Sequence, residues 1–479
     1  MPDRPNVLFV LTDQHRLEAV GCYADTVCRT PNIDRIAEEG AQFENAYTPY
    51  PVCTPARAAL LTGQFPHATG FTSNVGNVGC SFHSVQDDPD LLSRRLEAAG
   101  YELGYTGKWH LCLNREEAFG REIDNHVPSD VGFEGQDFPG HGGGGWDYPE
   151  YRAYLDESGY DLALTELDER YALDQRAAVV EAPTEATVPY FLADHTISLM
   201  EEFRRREDPF FLWHNFWGPH EPYWPSREFY EQYADVDIEP WPNFDWPAAD
   251  FEGSHHEKIH PDAETMTWEH WEPAVRHYYA FTSMIDAQVG RMLDYLEESG
   301  LAEETVVVFA ADHGETIGSH GGLFDKGFHH FEEITHVPLL VRFPDGRWAN
   351  TTVEEGVSLL DLYPTFCELA GADPRADAHG ESLLPLLRGE ADWRDAVVVE
   401  FDGLGNVAST QRTVRVGDLK YGYNHDGRDE LYDLSIDPHE TRNLVDHPDY
   451  REAVADLRDA LEARMQEVED PVYPLVWQG

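Results

Sequence analysis

The sequence predicts an α/β fold, in which helices cover both faces of a sheet and a smaller subdomain follows at the C-terminus. Along residues 1–385, short apolar runs of strand character alternate with amphipathic stretches of helical character. That alternation is typical of strands joined by crossover helices. The clearest strand-like runs are 6–11, 305–310 and 337–342, and the clearest helix-like stretches are 30–40, 278–300 and 359–371.

The C-terminal part of the chain has a different pattern. From about residue 386 the apolar runs follow one another closely, and a charged amphipathic stretch comes after them at 451–468. This order predicts an antiparallel sheet with one helix. We therefore expect a large domain over 1–385 and a subdomain over 386–479. The strand-like runs of the subdomain are 396–401, 413–416, 419–423 and 430–434.

Two segments of the large domain lack a regular pattern. Residues 131–160 are rich in glycine but lack the strand, the helix and the Lys-Ser/Thr pair of a phosphate-binding loop, so they predict a flexible loop. Residues 217–275 hold many tryptophans and tyrosines among prolines and acids. This composition predicts an irregular insertion at the rim of a site. Its aromatic side chains either fix a long loop or stack on sugar rings.

The charge balance excludes a nucleic-acid-binding protein that works through a basic surface. The chain has 90 acidic and 34 basic residues, a formal net charge of −56. Only four basic residues are lysines, and the acids are spread along the whole chain. This surface predicts adaptation to high salt, because salt at 1 M cuts the Debye length to roughly 3 Å. The alternative is an acidic surface that serves a partner protein.

The sequence has no membrane-spanning segment and no disulfide pattern. No stretch of 18 apolar residues occurs, and the first apolar run, 6–11, is too short for a signal sequence. We therefore expect a cytoplasmic protein with no membrane partner. The six cysteines form no C-x-x-C pair, which argues against a disulfide framework or a structural zinc site.

The strongest local motif surrounds Cys53. Pro55 fits a first helical position, 56–61 a short helix, and Gly63 its C-terminal cap. Cys53 would then lie where free backbone N–H groups and the helix dipole attract an anion. Arg57 would add a guanidinium at the same place, so a nucleophile and an anion-binding charge lie within five residues.

Two strand ends carry candidate metal ligands. Asp13 and Gln14 follow the first strand-like run, and Asp312 and His313 follow the run 305–310. The carboxyl ends of strands in an open α/β sheet face the ligand crevice. Two carboxylates, an amide oxygen and an imidazole would form a site for one divalent cation. Calcium is favoured, with manganese and magnesium as alternatives.

Several further segments, taken with the Cys53 motif, identify a family. Cys53-Thr-Pro-Ala-Arg57 is followed by Leu-Leu-Thr-Gly63, and a second segment reads Gly104-Tyr-Thr-Gly-Lys-Trp-His110. Other matching segments are 30–35, 218–222, 312–315 with His320, Gly321 and Lys326, and 431–438. They span almost the whole chain in family order. The chain therefore resembles a formylglycine-dependent sulfatase of the alkaline-phosphatase-like superfamily.

This resemblance implies a large, mixed, mostly parallel sheet and a set of site residues. Cys53 would be oxidised to formylglycine by a maturation enzyme. Asp13, Gln14, Asp312 and His313 would hold the cation. The residues around the sulfate would be Arg57, Lys108, His110, His220 and Lys326. Many members have aspartate at position 14 and asparagine at 313; the present pair also occurs in choline-sulfatase-like and phosphonate-monoester-hydrolase-like relatives.

The implied reaction is hydrolysis of an organic sulfate monoester, either a small molecule or a carbohydrate sulfate. Hydrated formylglycine would attack sulfur, His220 would protonate the leaving alcohol, and His110 would take the proton that allows sulfate to leave. One alternative is a phosphonate monoester or phosphodiester hydrolase on the same fold. A second alternative is a non-catalytic protein that binds sulfated glycans, if Cys53 stays a thiol.

Overall fold

The computed structural model describes residues 3–114, 125–246, 257–390 and 392–473. Its strands are β1 (Asn6–Asp13), β2 (Ala41–Tyr47), β3 (Glu102–Gly107), β4 (Glu134–Gly135), β5 (Leu164–Glu166), β6 (Ala178–Val180), β7 (Phe210–Pro219), β8 (Thr305–Ala311), β9 (Leu339–Arg342), β10 (Thr351–Ser358), β11 (Ala396–Leu404), β12 (Val407–Val416), β13 (Leu419–Asn424) and β14 (Glu430–Asp433). Its helices are α1 (Pro31–Glu38), α2 (Cys53–Thr62), α3 (Pro66–Thr69), α4 (Leu92–Ala98), α5 (Pro149–Ser158), α6 (Val188–Phe203), α7 (Arg227–Glu231), α8 (Trp268–Ser299), α9 (Ser319–Gly322), α10 (Glu332–Thr335), α11 (Leu362–Ala370), α12 (Leu383–Leu387) and α13 (Arg451–Glu467).

An eight-stranded sheet in the order β10-β2-β9-β8-β1-β7-β3-β4 forms the centre of the protein. Strand β9 runs antiparallel to its neighbours β2 and β8, and the other neighbouring pairs are parallel. The predicted large, mixed, mostly parallel sheet is therefore confirmed. The carboxyl ends of β3, β7, β1 and β8 lie together at one edge of this sheet.

Strand β1 shows why the sequence folds this way. Every residue from Asn6 to Asp13 is buried, because β1 lies between two parallel strands and both faces of the sheet are covered. Leu8 and Val10 pack in one cluster with α6 and α8, whereas Val7, Phe9 and Leu11 pack in another with α2, α4 and α11. Burial of each large apolar side chain contributes roughly 1.5–3 kcal/mol. The two clusters fix the position of the strand and of Asp13 at its end.

The C-terminal subdomain contains a second sheet, in which β11, β12, β13 and β14 are all antiparallel. Helix α13 packs on this sheet through Leu457, Leu461 and Met465. The same cluster includes Ala59 of α2 and the nearby Phe65. The second sheet therefore supports the helix that begins at Cys53. The domain boundary near 385 stays a prediction.

The structure corrects the expectations for the two irregular segments. Residues 149–158 of the glycine-rich segment form α5, which begins with Pro149 and ends at the left-handed Gly159. In the segment 217–275, β7 continues to Pro219 and α8 already begins at Trp268. Part of that segment, 247–256, lies outside the described residues. The side chains of Trp217, Tyr223, Trp241 and Trp271 are buried, as expected for aromatic groups that fix a loop, and the position of the segment at a rim stays a prediction.

Among the described residues, the structure has no helix whose length and apolar character would allow it to cross a bilayer.

Candidate active site

Cys53 is the first residue of α2, and its side chain is fully buried. The helix begins two residues earlier than expected, so Pro55 occupies its third position. Val52 precedes the helix and has no side chain that could cap it; instead the Oδ1 atom of Asn74 accepts a hydrogen bond of 3.0 Å from the N–H of Thr54. Gly63 ends the helix at φ 70°, where a Cβ atom would lie 2.6 Å from the ring of Tyr363.

The thiol of Cys53 lies among cationic and acidic groups. Its Sγ atom is 3.3 Å from Nε2 of His313, 3.5 Å from Nζ of Lys108 and 3.7 Å from Oδ1 of Asp13. Burial would raise the pKa of this thiol, but the charges of Lys108, Lys326 and His313 outweigh burial and hold the pKa well below its usual range. Position 53 is thus a place where negative charge is stabilised.

Arg57 lies one helical turn after Cys53 and binds both carboxylates. Its Nε donates to Oδ2 of Asp312 over 3.0 Å, and its Nη2 donates to Oδ2 of Asp13 over 2.8 Å. Its Nη1 donates to Oδ1 of Asn215 and to the carbonyl of Lys108 over 2.9 and 3.0 Å. The guanidinium therefore fixes the two acids in place, and its nitrogen atoms all have acceptors within the protein.

The two carboxylates and one imidazole form a compact set of ligand atoms. One atom each from Asp13, Cys53, Asp312 and His313 lie within 4.8 Å of one another, and all four residues are buried. Burial, followed by the charge of Asp13, raises the pKa of Asp312 to about 6. A cation beside both carboxylates would relieve this repulsion, so the residues fit a hard divalent cation.

Gln14 adds an oxygen whose direction is fixed by its neighbours. Its Nε2 donates to Oε2 of Glu221 over 3.2 Å and to Oε2 of Glu315. Because carboxylate oxygens only accept, the amide nitrogen must face them, and Oε1 must face the other way. There Oε1 accepts a hydrogen bond of 2.6 Å from Nζ of Lys326. An amide oxygen held in this way is a suitable hard ligand.

The remaining predicted residues come from the ends of β3 and β7. Lys108 follows β3, and its Nζ lies 2.7 Å from Oδ2 of Asp13. Burial, the largest contribution, lowers the pKa of the nearby His110 to about 4. His220 follows β7, where its N–H donates to the carbonyl of Asp13 and its Nδ1 lies 2.8 Å from the carbonyl of Glu221. Because Nδ1 faces this carbonyl, it carries a proton and donates it there, and Nε2 is available for another partner.

The structure thus brings all the predicted residues to one edge of the sheet, and their individual roles stay predictions. The sequence analysis missed Asn74, His141, Asn215, Glu221 and Glu315. Glu221 and Glu315 lie inside the segments 218–222 and 312–315 that carry the family resemblance, so those segments could have identified them. Asn74, Asn215 and His141 reach the site through long-range packing, and no motif marks them.

Comparison with known proteins agrees with this geometry. The sulfatase family profile matches residues 5–372, and a profile for the C-terminal part of N-sulphoglucosamine sulphohydrolase matches 318–467. The chain is 30% identical over 485 residues to the uncharacterized sulfatase YidJ of Escherichia coli K12, covering 99% of this chain and 90% of that protein. It is 28% identical over 506 residues to the N-acetylglucosamine-6-O-sulfatase of Bacteroides thetaiotaomicron, covering 98% of this chain and 87% of that protein.

Two solved structures share the fold. The phosphonate monoester hydrolase of Agrobacterium radiobacter superposes with a TM-score of 0.76 at 24% identity, covering 97% of this chain and 96% of that chain. A structure that holds its substrate D-glucosamine-2-N,6-O-disulfate superposes with a TM-score of 0.72 at 23% identity, covering 99% of this chain and 100% of that chain. The profile match over residues 5–372 and relatives aligned over nearly the whole length show that the chain belongs to the sulfatase family.

Proposed function

We propose that this protein hydrolyses an organic sulfate monoester at a formylglycine formed from Cys53. The observation that carries the proposal is the placement of Cys53 at the start of α2, fully buried, with Lys108 and His313 within 3.5 Å of its Sγ. A hydrated formylglycine would supply a hydroxyl for attack on sulfur and a second hydroxyl whose deprotonation releases sulfate. The chain would therefore need a maturation enzyme as a partner.

We further propose that Asp13, Gln14, Asp312 and His313 hold one divalent cation. Calcium suits the oxygen-rich ligands best, with manganese and magnesium as alternatives. When bound, the cation would supply positive charge for the sulfate oxygens and for the attacking hydroxyl. Arg57 acts here as a positioning residue, because it holds both carboxylates and spends its N–H groups on the protein.

The other side chains have two kinds of role: the lysines supply positive charge, and the histidines transfer protons. Lys108 and Lys326 neutralise the sulfate in a buried site, where a charge interaction is stronger than in water. Burial, the largest contribution, lowers the pKa of His110 to about 4, so its imidazole is neutral near pH 7. It is the proposed acceptor of the proton whose removal allows sulfate to leave. His220, whose Nδ1 faces a carbonyl, can offer a proton from Nε2 to the leaving alcohol when its ring is charged.

We infer a carbohydrate sulfate as the substrate class, from two of the similar proteins. One relative is named N-acetylglucosamine-6-O-sulfatase, and one structural neighbour holds a sulfated glucosamine. The partly exposed aromatic side chains of the segment 217–275, such as Trp224, could stack on a sugar ring of such a substrate.

The proposal of a salt-adapted surface rests on the net charge of −56 alone.

A phosphonate monoester hydrolase is the second candidate. It is favoured by the pair Gln14 and His313, and one of the structural neighbours is named for that activity. Rates measured in parallel on an aryl sulfate and an aryl phosphonate ester would separate the two. We expect a higher kcat/KM for the sulfate; a preference for the phosphonate ester would refute the proposal.

Intact mass tests the remaining alternative, a non-catalytic protein that binds sulfated glycans. If the purified protein carries an unmodified thiol at Cys53 and turns over neither ester, that alternative replaces the proposed hydrolase.

A further inference from the structure

His141 lies between the two histidines that the proposed reaction uses. Its ring centroid is 4.8 Å from that of His110 and 4.9 Å from that of His220. Both neighbours meet the site from strand ends, His110 after β3 and His220 after β7. His141 comes instead from the glycine-rich segment, which none of the family motifs includes. The cluster of three imidazoles therefore contains one ring without a role.

The backbone around His141 is fixed. The Nε1 atom of Trp217 donates to the carbonyl of His141 over 2.6 Å, and the N–H of Gly145 donates to the carbonyl of Gly142 over 2.7 Å. Gly142 has φ 77°, and a Cβ atom there would lie 2.3 Å from the ring of Tyr148. Only glycine allows this left-handed turn with such close contact. The turn holds the histidine ring in one place.

The hydrogen bonds of His141 also determine where its proton lies. Its Nδ1 accepts a hydrogen bond of 3.3 Å from the N–H of Gly143, so a neutral ring carries its proton on Nε2. Burial, together with the charges of Lys108, His110 and His220, holds the pKa of His141 well below its usual range. Within the residues that the structure describes, Nε2 has no hydrogen-bond partner. The ring thus offers one free N–H donor beside the two proton carriers.

From this geometry we propose that His141 donates a hydrogen bond from Nε2 to the bridging oxygen on the alcohol side of the ester, and so helps to select the leaving alcohol. The inference rests on the proposed sulfatase reaction. In the proposed reaction the sulfate group binds around Cys53 and Lys108, whose Sγ and Nζ atoms lie 3.5 Å apart. A neutral donor in contact with His220 stands where the alcohol leaves, and it stabilises the charge that develops on that oxygen.

The test uses His141→Ala on a series of phenyl sulfates whose phenols differ in acidity. Loss of one hydrogen bond to the bridging oxygen should lower kcat/KM by about tenfold for the least acidic phenol. The same substitution should change kcat/KM little for 4-nitrophenyl sulfate, because its acidic phenol leaves readily as the anion without a hydrogen bond to its oxygen. His141→Gln, which retains an N–H donor of similar reach, should recover part of the loss. The exposed His425→Ala serves as the matched control and should leave the series unchanged.

Competitive inhibition by phenylmethanesulfonate separates this role from a structural one. This inhibitor has a CH₂ group in place of the bridging oxygen and offers no acceptor to Nε2 of His141, so its inhibition constant should be the same in the wild-type protein and in His141→Ala. An equal loss across the phenol series, or weaker inhibition by the sulfonate, would overturn the proposal, and so would an unchanged rate for every ester. If the wild-type protein cleaves only phosphonate esters, the proposed function fails, and the same comparison on aryl phosphonate esters decides the role of His141.

Discussion

Glu315 is a buried carboxylate that, together with Glu221, determines which way the amide of Gln14 points. Its Oε2 accepts from Nε2 of Gln14 and from the hydroxyl of Tyr223 over 2.9 Å. Its Oε1 accepts from the backbone N–H groups of Ile317 and Asp325 over 2.9 and 2.6 Å. Every one of these partners is a donor. The arrangement therefore requires that both terminal atoms of the side chain at position 315 accept hydrogen bonds.

The substitution Glu315→Gln keeps the shape of the side chain and removes one acceptor. The two backbone N–H groups cannot turn away, so the new amide oxygen should face them and the new NH₂ group should face Gln14. Two donors would then meet. Gln14 would either turn its oxygen towards position 315, where that oxygen would also face the carboxylate of Glu221, or move its amide away from both side chains. In either case its Oε1 would no longer lie in its place beside Lys326 and the proposed cation. Loss of such outer support typically weakens metal affinity 10–100-fold, or about 1.4–2.8 kcal/mol.

Calorimetric titration of metal-stripped protein with calcium and with manganese measures this effect without relying on turnover. Tyr223→Phe is the matched control, because it removes one donor to Glu315 and leaves the acceptor for Gln14 in place. We expect a much smaller change in the dissociation constant for this control. If Glu315→Gln binds both cations with the wild-type dissociation constant and melts at the wild-type temperature, the reasoning about the amide of Gln14 is refuted.

Four further predictions follow from the site and the surface. Removal of divalent cations by a chelator should abolish turnover; rescue by zinc alone, and not by calcium or manganese, would contradict the proposed oxygen-rich ligand set. Cys53→Ser should give at most a single turnover, since serine lacks the second hydroxyl that releases sulfate; peptide mass analysis should show the loss that converts CH₂–SH to CHO at position 53, and sustained turnover by an unmodified thiol would count against the mechanism. The melting temperature should rise steeply between dilute buffer and molar salt, because 90 acidic residues face 34 basic ones; a melting temperature independent of salt would refute the salt-adapted interpretation. Burial lowers the pKa of His67, but its hydrogen bond to Glu400 and the charges around it together raise this pKa by more, so the net shift is upwards from 6.5. The resulting stabilisation should be present below pH 6.5 and lost as pH rises through the raised pKa, so the difference in melting temperature between wild type and His67→Ala should narrow over that rise.

The central sheet was predictable because its inner strands β1, β7 and β8 are buried on both faces. Residues 7–11 of β1 are continuously apolar, as is typical of a parallel central strand, and the strand ends at the carboxylate of Asp13. The convergence of Asp13 and Asp312 followed from strand ends at one edge of the sheet, and the family resemblance added Cys53 to them. The roles of individual groups were harder to predict. Arg57 was expected to bind the substrate anion, and its binding to both carboxylates depends on the packing of α2 against two distant strands.

Other features carry weak local signals. The first turns of α8 mix Trp268, His270 and Glu272 with a proline, so residues 268–277 show no clear helical periodicity. The glycine-rich composition before α5 favoured a loop over a helix. The two ends of α5 nevertheless carry a helix signal, a proline at the first helical position and a left-handed glycine after the last turn. His141 reaches the site through a sharp turn that only the structure reveals.

The packing of the second sheet against α2 has a consequence for the order of events during synthesis. Cys53 has no exposed surface in the folded protein, so the proposed maturation enzyme would have to act before the site closes. Ala59 and Phe65, on and next to α2, share a cluster with Val398 and Val414, which leave the ribosome more than three hundred residues later. Until that late segment is made, the helix of Cys53 lacks part of the cluster that covers it. If Cys53 is modified as proposed, the packing of the C-terminal sheet would set the end of the period in which the maturation enzyme can reach it.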